Sequence, residues 1–325
     1  MNFLNTLLIT ISLFVFPVNC LLAQPASVTQ LVFSSKQSAI SFEWQGDSVH
    51  AKWEAHTAMI VPVKLKDCPR TFYMQFDLGS PFSLFYKNKL DAIGAKYPSA
   101  YPLPEKDNRI SAFDFWVDQT RVTAHEILVK QFDSAVIDWK KEGMEIIGTI
   151  GADLIDGKVL VLDYPGKKLH ILPSVTPWLK QKLSFSTFTY MNKSVLLPAK
   201  IGAKETLLFF DTGSSMFELL TNKETCLQLA TPGSQAIRHE VNSWGRTLVA
   251  NTYASSTSIN IANTTLPLHS VTYIEGASNA QVERMLKAGI GGVTGNKLFL
   301  HHVLILDTKN QQFGVLSSLR RSDLK

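Results

Sequence analysis

The chain has 325 residues, a formal charge of +5 and a 45% hydrophobic fraction. This composition supplies a sizeable core and excludes a disordered chain, and the modest, scattered positive charge predicts no nucleic-acid partner. Three cysteines without a CxxC pair, and histidines without ligand spacing, predict no metal.

The first 23 residues carry no charge, hold an apolar run from Leu7 to Phe16, and offer the small Ala23 before Gln24. They predict a secretory signal cleaved near Ala23, with export to the periplasm or the exterior and no membrane span in the mature chain. A retained anchor helix and a lipidated Cys20 are the alternatives. Cleavage would leave Cys68 and Cys226, either bridged across the two halves of the chain or as separate buried thiols. Residues 28–58, with Phe42, Trp44 and Trp53 among alternating polar positions, predict one or two added hairpins.

Beyond them the chain reads as mostly β, with β-branched and aromatic runs at Leu31 to Phe33, Met59 to Leu65, Thr71 to Phe76 and Leu207 to Phe210. Short helices are predicted over Lys87 to Ile93, Asn222 to Leu229 and Ala280 to Lys287, and Leu172 to Pro177 reads as a linker. Two segments nearly repeat each other: Gln75-Phe76-Asp77-Leu78-Gly79-Ser80 and Phe209-Phe210-Asp211-Thr212-Gly213-Ser214. Downstream, Gly148 to Leu154 runs on to Val159–Asp163 as Gly292 to Leu298 runs on to Val303–Asp307, and His125 falls on His269, all at an offset of 144 residues. The chain is therefore a tandem duplication of one unit of roughly 140 residues rather than a short-period repeat array. Its organisation is a signal at 1–23, a first lobe over 24–172 that carries the extra hairpin at 28–58, and a second lobe over 173–325.

Each repeated acid follows an apolar strand and precedes Gly79 or Gly213, which permits a tight turn and holds the carboxylate in place. Duplicated units pack about a pseudo-twofold axis, so equivalent acids can meet there. Two carboxylates in contact cannot both ionise cheaply; they share a proton, and one can act as base while the other acts as acid.

These residues resemble the pepsin-like aspartic proteases and, in lobe size, the retropepsin-like units that bacteria carry as fused pairs. The resemblance spans roughly residues 59 to 317 and rests on Asp77-Leu78-Gly79-Ser80, Asp211-Thr212-Gly213-Ser214 and the apolar-glycine stretches Ile147-Gly148 to Leu154 and Ile290-Gly291 to Leu298. It implies an all-β, two-lobed fold with an internal pseudo-twofold and a monomeric, cofactor-free endopeptidase. It further implies that Asp77 and Asp211 activate water against a polypeptide bound in the interlobe cleft. Gly79, Ser80, Thr212, Gly213 and Ser214 would support the dyad, with Ser80 and Ser214 bonding the outer carboxylate oxygens.

The first motif departs from the family pattern, because Leu78 stands where a threonine normally donates across the lobe interface, and Pro81 removes a nearby backbone donor. For substrate contact the candidates are Trp244, at the tip of a turn in the second lobe, and Tyr101 with Tyr97 in the first. Three other readings of the acids are a peptide-binding pseudoprotease, a carboxylate-pair glycosidase with acids roughly 5 to 9 Å apart, and two inherited turn acids.

Overall fold

The computed structural model describes residues 31–49, 51–101, 108–132, 134–140, 143–243, 246–276 and 279–324. The signal-like residues 1–23 and the candidate Trp244 lie outside them. Eleven strands carry the first half: β1 Leu31–Phe33, β2 Ser38–Ser41, β3 Glu43–Val49, β4 Lys52–Leu65, β5 Phe72–Phe76, β6 Leu84–Tyr86, β7 Arg109–Val117, β8 Thr120–Lys130, β9 Ile146–Ile150, β10 Val159–Asp163 and β11 Lys168–Leu172. The second half has β12 Ser186–Thr187, β13 Thr189–Met191, β14 Ser194–Ile201, β15 Lys204–Phe210, β16 Ile237–Ser243, β17 Arg246–Ile261, β18 Thr264–Glu275, β19 Ile290–Thr294, β20 Val303–Asp307 and β21 Gln312–Leu316.

The strands form three sheets, one for each lobe and one shared. The first runs β1-β8-β6-β9-β5-β4-β3 with β7 alongside, and the second runs β16-β17-β14-β15-β19 with β13 and β18 alongside. The acid-bearing strand pairs in parallel with the later apolar-glycine strand in both lobes, β5 with β9 and β15 with β19. Parallel pairing between strands far apart in sequence buries both faces, so Phe76, Phe209, Phe210 and Ile150 are fully buried.

The shared sheet, β12-β21-β20-β10-β11-β2, joins the lobes. At its centre β10 and β20 run antiparallel with Val161 opposite Ile305, two residues that are equivalents at the repeat offset. The pseudo-twofold axis therefore passes through this pair. Alternation along these strands sends Leu160, Leu162, Leu304 and Leu306 into the main core. Val159, Val161, Val303 and Ile305 go to the opposite face, which Leu179 and Leu324 cover.

The helices are α1 Lys87–Lys96, α2 Pro177–Lys182, α3 Lys223–Leu229 and α4 Asn279–Lys287. Three of them answer the sequence expectations, and Asn222 caps α3 by accepting from Thr225 N–H at 2.9 Å. Helix α2 was not expected; Thr176 caps it through Leu179 N–H, with Pro177 at its first position. The described part of residues 28–58 holds one long hairpin, β3–β4, while β1 and β2 are separate strands that join β8 and β11. Cys68 and Cys226 are buried and unbridged. No helix among the described residues is long and apolar enough to cross a membrane.

Candidate active site

Asp77 and Asp211 sit one residue beyond the ends of β5 and β15, and the parallel partner extends to hold each backbone. Asp77 N–H donates to Ile150 C=O and Asp211 N–H to Thr294 C=O, both at 2.9 Å. Each carboxylate then accepts from the glycine of its own turn, Gly79 N–H to Asp77 Oδ1 and Gly213 N–H to Asp211 Oδ1, both at 2.8 Å.

The glycines serve a second purpose across the axis. A Cβ at Gly79 would stand 2.5 Å from Asp211 Cγ, and one at Gly213 would stand 2.5 Å from Asp77 Oδ1, so any larger residue would strike the opposite acid. The two carboxyls are within hydrogen-bonding reach of each other and neither is exposed to solvent. That separation is shorter than a sugar-cleaving pair requires.

The surroundings of the two acids differ. Ser214 Oγ donates to Asp211 Oδ2 at 2.8 Å, as expected. Ser80 departs from the expectation: its Oγ donates instead to Phe82 C=O at 2.8 Å. Asp77 Oδ2 consequently receives no hydrogen bond from any donor among the described residues. Burial raises the pKa of both acids. Asp77 is driven well above the usual carboxylate range, first by desolvation and then by the neighbouring Asp211 charge. For Asp211 desolvation is opposed by bonds from Asp77, Ser214 and Gly213. Two buried carboxyls in contact hold one proton between them, and the Ser214 hydroxyl on Asp211 favours the negative charge there.

Thr212 locks the two turns together. Its Oγ1 accepts from Leu78 N–H at 2.8 Å and donates to Phe76 C=O at 2.9 Å, so one hydroxyl satisfies two backbone groups of the other lobe. Leu78 has no hydroxyl to return the bond and lies buried in the main core instead. Tyr101 is also buried there, 5% exposed, with its ring against Gly94 of α1, and Tyr97 follows the end of that helix. Neither tyrosine stands on a hairpin arm of the kind formed by β16 and β17, so the structure gives no ground for a substrate contact at Tyr101.

Several site residues were not anticipated from sequence. Asn296 Nδ2 donates to Thr212 C=O and to Ser215 Oγ, both at 3.0 Å, while its Oδ1 accepts from Tyr164 OH at 2.9 Å. This ties the second acid turn to the shared sheet. In the first lobe Asp153 plays the comparable part, accepting from Ser83 N–H at 3.0 Å and Ser83 Oγ at 2.7 Å, while Gly151 N–H donates to Ser83 Oγ at 2.9 Å. Burial outweighs these bonds and lifts the Asp153 pKa to about 6. The sequence signal for both was their place just after the repeated glycines, Asn296 next to Gly295 and Asp153 two residues beyond Gly151. No group of metal-binding side chains occurs among the described residues.

No known family model and no curated protein sequence matches the chain. Among solved structures it is similar to the aspartic proteinase from Irpex lacteus, with a TM-score of 0.50 and 11% identity, over 87% of this chain and 97% of that one. The chain thus has a mostly β, two-lobed architecture resembling the aspartic proteinase fold.

Proposed function

We propose that this protein is an exported aspartic-type peptidase in which Asp77 and Asp211 activate water against a peptide bond in the interlobe cleft. The observation that carries the reading is the reciprocal packing of the acids, each carboxylate seated on the glycine of the other turn and both buried. A glycosidase has no use for acids that share one proton, and turn acids have no reason to meet across a pseudo-twofold axis.

The chemistry follows from where the proton sits. Asp211, as carboxylate, takes a proton from a water molecule whose oxygen attacks the peptide carbonyl. Asp77, as acid, donates its proton to the carbonyl oxygen, giving a neutral tetrahedral diol. Collapse of the diol returns a proton to Asp77, and Asp211 gives its proton to the departing amide nitrogen, leaving a carboxylic acid and an amine. Acid–base catalysis of this kind is worth roughly a hundredfold to ten-thousandfold.

The test is hydrolysis of a diverse peptide mixture, read by mass spectrometry between about pH 3 and 8, for the mature chain and for Asp77→Asn and Asp211→Asn. Cleavage by the wild type, lost by more than about a hundredfold in either variant, is expected. Equal silence in all three with peptide still bound would establish a binding protein instead.

A further inference from the structure

The pseudo-twofold axis exchanges the two ends of the interlobe cleft, and with them the hairpins β3–β4 and β13–β14. These hairpins are unequal. In the second lobe Leu196 pairs with Phe209, a register that brings Ser194 level with Asp211. Ser194 is the first residue of β14 and pairs with Met191 across the tight turn Asn192-Lys193, where φ is 51° and 61°. This hairpin therefore ends level with its acid.

In the first lobe Ile60 pairs with Gln75, which brings Ala58 level with Asp77. Here the hairpin does not stop: β4 begins at Lys52, six residues earlier, and remains paired with β3 as far as Val49. At about 3.3 Å per residue the projection past the acid is roughly 20 Å.

The projection is anchored on the opposite lobe. Glu54 pairs with Lys297 at 2.5 Å, and Lys297 lies in the helical turn Asn296–Phe299 directly after Gly295. Burial opposes the Glu54 charge, but bonds from His56 and Lys297 outweigh it and hold its pKa at about 2. Val49 packs on the cluster that contains Met216 and Phe217, which follow the Asp211 turn, and the cross-strand pair Val241 and Leu248 of β16–β17. At the hairpin's base Trp44 stacks on Tyr164 with centroids 6.3 Å apart, and Thr57 Oγ1 donates to Gln45 C=O at 2.7 Å. A paired, packed and ion-paired strand is a wall rather than a lid.

We infer that the β3–β4 hairpin closes one end of the cleft, so that the substrate is a polypeptide presenting a chain terminus, with only a few residues between that terminus and the bond that is cut. The other end, flanked by the short β13–β14 hairpin, accepts a long chain. This inference rests on the peptidase reading for its substrate class and on the asymmetry of the hairpins for its geometry.

The experiment takes a peptide that the wild type cuts and extends it by five Gly-Ser residues at the amino end or at the carboxyl end. The expected result is a loss of at least tenfold in kcat/KM for one extension and less than twofold for the other. Removal of residues 47–54, leaving Gly46-Ala55-His56-Thr57 as the loop, is expected to relieve the penalty. Equal tolerance of both extensions by the wild type would overturn the wall and leave the peptidase standing; that comparison needs no variant to fold. If the wild type cuts nothing, the same ladder is built on peptides retained by the Asp211→Asn chain and read by binding. One-sided loss of binding then keeps the wall and discards hydrolysis, whereas even binding, or none, overturns the wall.

Discussion

Asp77 and Asp211 descend from copies of one unit, yet the second acid is well supplied with donors and the first is not. Asp211 has both the Gly213 N–H and the Ser214 hydroxyl, while Asp77 has its Gly79 N–H but no serine hydroxyl. The motifs agree at the serine, so its identity does not explain the difference. After the acid, the first lobe reaches its paired strand at Leu84, seven residues on, whereas the second reaches the bridging Leu220 nine residues on. The shorter first loop offers Phe82 C=O to Ser80 and draws the hydroxyl away from the acid. Loop length, set a few residues downstream, decides which acid receives a serine hydroxyl.

The same contrast holds for the interlobe lock, where the largest effect is expected. Thr212→Val removes one hydroxyl but strands two buried backbone groups, Leu78 N–H and Phe76 C=O. It should destabilise the protein by about 3 kcal/mol in denaturant unfolding. Leu78→Thr should be nearly neutral, within about 1 kcal/mol, because a regained bond offsets lost apolar burial. Comparable losses for the two variants would break the asymmetry.

Next in size is the pH response of Asp153, whose counterpart at the repeat offset is Lys297. A carboxyl raised from 3.8 to about 6 on folding stabilises the native state below the unfolded pKa. That contribution is lost as pH rises through about 6. Between pH 4 and 7 the wild type should lose about 2 to 3 kcal/mol on this account, and Asp153→Asn should flatten the stability curve over that window. An unchanged slope in the variant would assign the pH dependence elsewhere.

The smallest effect separates the two serines. Ser214 lowers the pKa of Asp211, so Ser214→Ala should move the acid limb of the activity profile to higher pH. Ser80→Ala, which removes a bond to a carbonyl rather than to an acid, should leave that limb in place. A matching shift from Ser80 would mean that it reaches Asp77 in solution.

Much of this was legible in the order of residues. Strand alternation, the two acid turns and the offset of 144 residues carry the duplication, the mostly β class and the pairing of Asp77 with Asp211, because periodicity and repetition are one-dimensional properties. Helix α2 was missed because Pro177 reads as a break unless Thr176 is seen to cap the turn it begins. The burial of Tyr101 was not legible, because an aromatic residue near a loop looks the same in sequence whether it faces a cleft or packs beneath a helix.

By itself, then, the sequence determined the unit, its doubling and the two acids, since each is written in local pattern. Only the tertiary structure decided that Thr212 locks both turns, that Ser80 turns away from Asp77, that Asn296 and Asp153 brace the two turns, and that β3–β4 runs on to reach Lys297. Those contacts join residues up to 243 positions apart. They depend on loop lengths and on how two lobes close about an axis, which no local pattern encodes.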